Sequence, residues 1–183
     1  MVDLKELGGR IAIIGCSSSG KSTLADCLSK KLNTPVYHLD LLAHHEQTNW
    51  TRRADDELVK AHSELLDQDE WIIEGNYSVC MSERLKQATS VIWLDANVVV
   101  AAFRYIKRSL FADFDRVGKL PGAKREFRLF MLKHILFTYP RNRTKYQALI
   151  EIFDGTVLKI PSLVILKKYY QYWELKCLDQ NSS

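Results

Sequence analysis

Gly15-Cys16-Ser17-Ser18-Ser19-Gly20-Lys21-Ser22, with Thr23 next in line, are the residues whose types and spacing most directly promise chemistry. The string is glycine, any four residues, glycine, lysine and serine. Its glycines let the backbone wrap so that successive N–H groups point into one anion-binding hollow. A helix opening near Lys21 adds the positive end of its dipole. The Lys21 ammonium can then reach the β- and γ-phosphate oxygens of a nucleotide, and the Ser22 hydroxyl can ligate Mg²⁺. ATP and Mg²⁺ are the cofactors this implies, with Gly15 through Thr23 as nucleotide-binding positions. Cys16 reads as a small bystander in the loop, or as a thiol that makes it oxidation-sensitive.

Such a loop needs a strand before it and a helix after it. Residues 10–15 are a β-branched run ending in glycine, a buried strand by pattern. Residues 21–31 carry Leu24, Cys27 and Leu28 at helical spacing, and Pro35 ends that helix. Further strands are predicted at 36–39, ending at Asp40; at 71–73, ending in Glu74-Gly75-Asn76; at 91–94, ending at Asp95; and at 163–166. Helices are predicted at 54–66, 82–87, from an Asn97 cap to about 110, at 124–137 where Pro140 closes a basic amphipathic stretch, at 143–153 and at 168–178. Strands alternating with helices predict an α/β domain: a five-stranded parallel sheet covered on both faces. There is no repeat or clear linker, so residues 1–183 read as one domain.

Hydrophobic residues make up 46% of the chain and charged residues 26%, an ordinary globular composition. No apolar run approaches the roughly 18 residues of a membrane span, and the first residues do not form a secretory signal. Four scattered cysteines without a CxxC pair predict free thiols, no zinc site and a reducing, cytoplasmic setting. The net charge of +4 is unevenly spread. Twelve of the 26 Lys and Arg, but three of the 22 acids, fall between residues 104 and 145. A basic third on an acidic body predicts a local anionic partner: nucleotide phosphates, nucleic acid or a membrane surface.

The strings Ile11 to Ala25, His38-Leu39-Asp40, Trp71-Ile72-Ile73-Glu74-Gly75-Asn76-Tyr77 and Ile92-Trp93-Leu94-Asp95 resemble the bacterial P-loop proteins called DNA topology modulation proteins, which are similar to adenylate and shikimate kinases. The resemblance implies a P-loop NTPase fold of the adenylate/shikimate kinase kind. It implies that Glu74, followed by Gly75, helps hold Mg²⁺ through water. It implies that Asp40 contacts the acceptor hydroxyl and takes its proton. Arg104 and Arg108, four apart on one helix face, match the R-x-x-x-R pair that grips phosphates at the start of a lid. Arg141 and Arg143 follow the lid region as a second clamp. The lid is expected at about 112–142 and the acceptor-binding segment at about 41–70.

Within that segment Trp50 has two roles open to it, stacking on a ring or filling core, and Arg53 suits an anionic group. Asn76 and Tyr77 are expected to line the acceptor pocket. His44 and His45 lack a credible third metal ligand. The activity these expectations favour is transfer of the γ-phosphoryl group of ATP to a small acceptor. The alternatives are a nucleotide-dependent regulatory ATPase associated with DNA, and a nucleoside monophosphate kinase. The basic third has no helix-turn-helix and little aromatic interleaving, which leaves nucleic acid as the less favoured partner. Neither the acceptor nor the oligomeric state is fixed by the sequence.

Overall fold

A computed structural model describes residues 1–45, 48, 50–111 and 129–176. Five strands form one parallel sheet in the order β2-β3-β1-β4-β5. They are β1 (Arg10–Gly15), β2 (Val36–His38), β3 (Trp71–Glu74), β4 (Ser90–Leu94) and β5 (Thr156–Ile160). β1 lies at the centre, paired with β3 on one side and β4 on the other. The helices are α1 (Lys21–Leu32), α2 (Leu39–Leu42), α3 (Asp55–Leu66), α4 (Ser78–Gln87), α5 (Val98–Phe111), α6 (Leu129–Lys133), α7 (Tyr139–Glu151) and α8 (Leu163–Tyr172). A 3₁₀ turn at Leu4–Leu7 precedes β1, fixed by a capping box between Asp3 and Glu6.

The central strand shows why the sheet is covered on both faces. Successive side chains of a strand point to opposite sides. Ile11 and Ile13 pack with Leu24 and Leu28 of α1 and with Leu166, Tyr169 and Trp173 at and just beyond α8. Ala12 and Ile14 pack the other way, with Met81 and Leu85 of α4, Tyr105 of α5, and Tyr139 and Tyr146 of α7. No helix among the described residues is long and apolar enough to cross a membrane.

Several expectations are corrected. The fifth strand is Thr156–Ile160, not 163–166. Its alternating burial marks a sheet-edge strand, and the apolar run after it starts α8, where the Ser162 side chain accepts a hydrogen bond from the Ile165 N–H. α4 begins at Ser78, a turn before the expected 82. Pro140 does not close a helix. A π-helical turn, His134–Thr138, joins α6 to α7, with the Tyr139 N–H donating to the His134 carbonyl. This wider turn removes the need for a donor at the proline nitrogen, so the helix runs on. The start of the expected basic helix at 124 lies outside the described residues. Cys16 and Cys80 are buried free thiols.

Two buried polar side chains sit beneath the β3 end of the sheet. Arg84 of α4 is fully buried and donates from Nη2 to the Gly75 carbonyl at 2.8 Å. Burial pulls its pKa down to about 10. His62 of α3 is 1% exposed, and burial, with the charge of Arg84 adding to it, lowers its pKa to about 4. Neutral His62 suits this site, while the unfolded chain takes up a proton below about pH 6.5. The His62 contribution is therefore intact above pH 6.5 and erodes as pH falls towards 4, by on the order of 3 kcal/mol when complete. Urea midpoints measured across that window should fall less steeply in His62→Leu than in the parent; equal slopes would refute the assignment.

Candidate functional site

β1 ends at Gly15, whose backbone has φ 145°. A Cβ there would lie 2.4 Å from the Leu94 carbonyl oxygen, so only glycine lets β1 turn into the loop beside β4. The chain then passes through left-handed conformations at Ser18 (φ 63°) and Gly20 (φ 101°) before α1 starts at Lys21. The loop is pinned by Asn76. Its side-chain carbonyl accepts from the Gly15 N–H at 3.0 Å, and its amide donates to the Gly15 carbonyl at 2.6 Å. The Ser18 and Ser19 hydroxyl oxygens are buried with no hydrogen-bond partner among the described residues. Lys21 Nζ folds back onto the Cys16 carbonyl at 3.1 Å. Orphaned donors, a helix N-terminus and a lysine around one hollow fit a bound phosphate. Burial raises the Cys16 thiol to about 11, against a smaller opposing effect of Lys21, so this thiol is inert rather than reactive.

Glu74, at the end of β3, is buried and reaches the loop directly: the Ser22 hydroxyl donates to its Oε1 at 2.8 Å. His38, beside it at the end of β2, places Nδ1 3.1 Å from the same oxygen and Nε2 2.9 Å from Asp26 Oδ1 of α1. Burial acts to lower the His38 pKa, but the hydrogen bond and charge of Glu74, together with Asp26, raise it above the ordinary histidine value. Burial likewise works against an ionised Glu74, but His38, Lys21 and Ser22 outweigh it and hold its pKa low. An ionised glutamate beside the Ser22 hydroxyl is a donor set suited to Mg²⁺ held jointly with phosphate oxygens. Among the described residues no three His, Cys, Asp or Glu form a self-sufficient metal cage.

Asp40 lies on the α2 turn rather than ending the strand, which stops at His38. Its Oδ1 accepts from the Tyr77 hydroxyl at 2.9 Å. Burial and the Asp40 charge push the Tyr77 phenol well above its usual range, so it stays a hydrogen-bond donor. Arg52 lies 6.0 Å from the Tyr77 ring centre and pairs with Asp55. His44 stacks edge-on against Trp50 at 5.1 Å, and Arg53 is half-buried, its Nε without a hydrogen-bond partner among the described residues. Asp40, Trp50, Arg53, Gly75, Asn76 and Tyr77 thus belong to the α2 segment and the β3–α4 turn. Asn76, in that turn, also holds the loop.

The arginines are placed differently from one another. Arg104 and Arg108 share a face of α5. Arg104 is half-buried within electrostatic reach of Tyr170 on α8, and Arg108 lies 5.8 Å from the Tyr105 ring. Arg141 is exposed on α7. Arg143 grips Asp95 with two hydrogen bonds of 2.7 Å, and Lys159 joins the same carboxylate at 3.2 Å. The Asp95 carboxyl, disfavoured as an anion by burial, is nonetheless held low by these two partners. Residues 112–128 of the expected lid lie outside the described residues. The remainder brings in a group the sequence did not signal: His134, on the π turn, is partly buried within electrostatic reach of Asp40 and Lys21. His38 and Asp26 were also missed as site residues, although His38 stands two residues before Asp40 at a predicted strand end.

Comparison with known proteins gives the same picture. The profile of the chloramphenicol phosphotransferase-like protein family matches residues 9–117. Shikimate kinase from Acinetobacter baumannii in complex with shikimate superposes with a TM-score of 0.61 at 12% identity, covering 92% of this chain and 95% of that one. Shikimate kinase from Aquifex aeolicus vf5 gives 0.52 at 18% identity, covering 90% and 96%. A gluconokinase from Sinorhizobium meliloti 1021 gives 0.54 at 15%, covering 92% and 93%. No curated protein matches the sequence. The structural likenesses establish the P-loop fold, and none of the matches named here carries the topology-modulation label.

Asn76→Ala removes both hydrogen bonds that pin Gly15. It should cost about 2 kcal/mol of stability and weaken nucleotide binding; denaturation and calorimetric titration on one preparation check this. Unchanged binding would mean that the loop holds its shape without Asn76.

Proposed function

The chain belongs to the chloramphenicol phosphotransferase-like family, and from that premise we propose that it is a small-molecule kinase moving the γ-phosphoryl group of ATP to an acceptor hydroxyl. The observation that carries this reading is the meeting of Lys21, Ser22 and Glu74 at one end of the sheet, with Asp40 on the adjoining turn. The acceptor oxygen forms a bond to the γ-phosphorus, the bond from that phosphorus to the β–γ bridging oxygen breaks, and ADP leaves. Asp40 takes the hydroxyl proton. Its Tyr77 hydrogen bond orients the carboxylate and leaves Oδ2 for the acceptor. The loop N–H groups and Lys21 hold the phosphates where charge spreads over the transferring group. Mg²⁺, when bound, neutralises charge on the β- and γ-phosphate oxygens, and Ser22 and Glu74 are the residues that would hold it.

Arg104, Arg108, Arg141 and Arg143 enter this proposal as groups that offset the triphosphate charge when the basic segment closes over it and excludes water. Arg143 must exchange Asp95 for phosphate to do so. Trp50 and Arg53 are proposed as acceptor-side contacts, in a chain acting as a single domain.

Lys21→Ala should lose phosphoryl transfer to background and weaken nucleotide binding while the fold survives, since among the described residues the Lys21 ammonium donates a hydrogen bond to the Cys16 carbonyl alone. Turnover retained by the folded variant would refute the loop assignment. Asp40→Asn should lower kcat by about 10²- to 10⁴-fold with ATP affinity nearly unchanged. A variant that merely melts earlier, at normal specific activity, would leave Asp40 a structural partner of Tyr77.

A further inference from the structure

The hydrogen-bond chain behind Ser22 contains more than the nucleotide site requires. Glu74 Oε1 carries two contacts, from Ser22 Oγ at 2.8 Å and His38 Nδ1 at 3.1 Å, while Oε2 has no hydrogen bond among the described residues. His38 uses both ring nitrogens, and its far side rests 2.9 Å from Asp26 Oδ1. The side chains are progressively more enclosed towards the loop: 24% exposed at Asp26, 10% at His38 and 3% at Glu74. We propose that His38, braced by Asp26, is a positioning residue that fixes the rotation of the Glu74 carboxylate so that Oε2 faces the divalent cation accompanying the nucleotide.

The elements that carry these groups make the arrangement possible. β2 and β3 are paired in parallel with His38 opposite Glu74, so the two side chains leave adjacent strand ends together. Ser22 and Asp26 are four residues apart on α1 and lie on one face of its first turns, which brackets His38 and Glu74 from above. Three elements are thus closed into one ring of contacts. The last torsion of a glutamate is broad and nearly two-fold, so a carboxylate held by one hydroxyl would turn readily. A second contact on the same oxygen stops that rotation. Only a side chain with two opposed polar atoms can do so while itself being held from α1, which an aromatic or single-headed residue cannot. The chemistry recognised is that of a hard divalent cation with oxygen ligands, shared between Glu74, Ser22 and phosphate.

A purely structural role, tying the β2 edge to α1, would predict different behaviour, and the two can be separated. The inference rests on the nucleotide-site reading above, so the parent protein is the control. The probe is Mn²⁺, its binding to the complex with a non-hydrolysable ATP analogue followed by electron paramagnetic resonance. Analogue affinity is measured separately in EDTA. His38→Phe should weaken Mn²⁺ binding by about 10- to 100-fold and leave analogue affinity in EDTA within about twofold. Asp26→Ala, on the half-exposed face of α1, should weaken Mn²⁺ binding less, and serves if His38→Phe folds poorly. His38→Gln, whose amide can still donate to Glu74, should recover part of the loss. Unchanged Mn²⁺ affinity in both His38→Phe and Asp26→Ala would overturn the proposal, as would equal losses of Mn²⁺ and metal-free analogue affinity. A parent protein that does not bind the analogue at all would overturn the nucleotide-site reading itself, and this inference with it.

Discussion

Everything at this site depends on how tightly the backbone at Gly15 is held. It turns against the Leu94 carbonyl, where no side chain fits, and the Asn76 side chain grips both its N–H and its carbonyl. That contact joins the ends of β1, β3 and β4 into one rigid rim. The loop inherits its curvature from the rim, α1 inherits its direction from the loop, and Ser22 meets Glu74 only because α1 starts where it does. Arg84 reinforces the rim from below by occupying the Gly75 carbonyl. A fully buried guanidinium is expensive to desolvate, and placing it under the strand end that carries Glu74 and Asn76 ties that expense to the site.

The second feature is how charge is balanced. Glu74 is an ionised carboxylate almost out of contact with water, and it is tolerated because Lys21, Ser22 and His38 surround it. Asp95 shows the same solution at the end of β4, between Arg143 and Lys159, with both cations also lying near the Trp93 ring. These are two anionic strand ends, each masked by cations. In the proposed reaction a triphosphate at the loop would compete for the same lysine and arginine groups, which would link its binding to release of these pairs.

Much of this was legible in the sequence because it rests on local rules. The loop motif, the buried run before it and the helical spacing after it required no tertiary knowledge, and the sheet followed from the alternation of elements. Asn97 capping α5 was legible for the same reason: its side chain accepts from the Val99 N–H. The failures had tertiary causes. Leu163 to Leu166 looked like a strand because it is apolar, yet Ser162 turns it into a helix start, and the true β5, a half-exposed edge, shows a weaker signal. Pro140 looked like a stop because the π turn that absorbs it has no sequence signature. Arg84, His62 and His134 gave no sign of burial or position, since what surrounds them comes from elements far apart in the chain. The roles of Asp26 and His38 appear only when α1, β2 and β3 are seen together.

In the proposed function this rim transfers phosphate to a small acceptor rather than merely holding or hydrolysing nucleotide. The most direct measurement is phosphorus NMR of ATP and Mg²⁺ incubated with the protein, with and without a fractionated pool of small hydroxyl-bearing metabolites. The account predicts that the γ-phosphorus signal declines with the pool present and that a new phosphate monoester resonance grows in step with ADP, while the acceptor-free sample stays nearly unchanged. Inorganic phosphate released at the same rate in both samples, with no monoester, would contradict it.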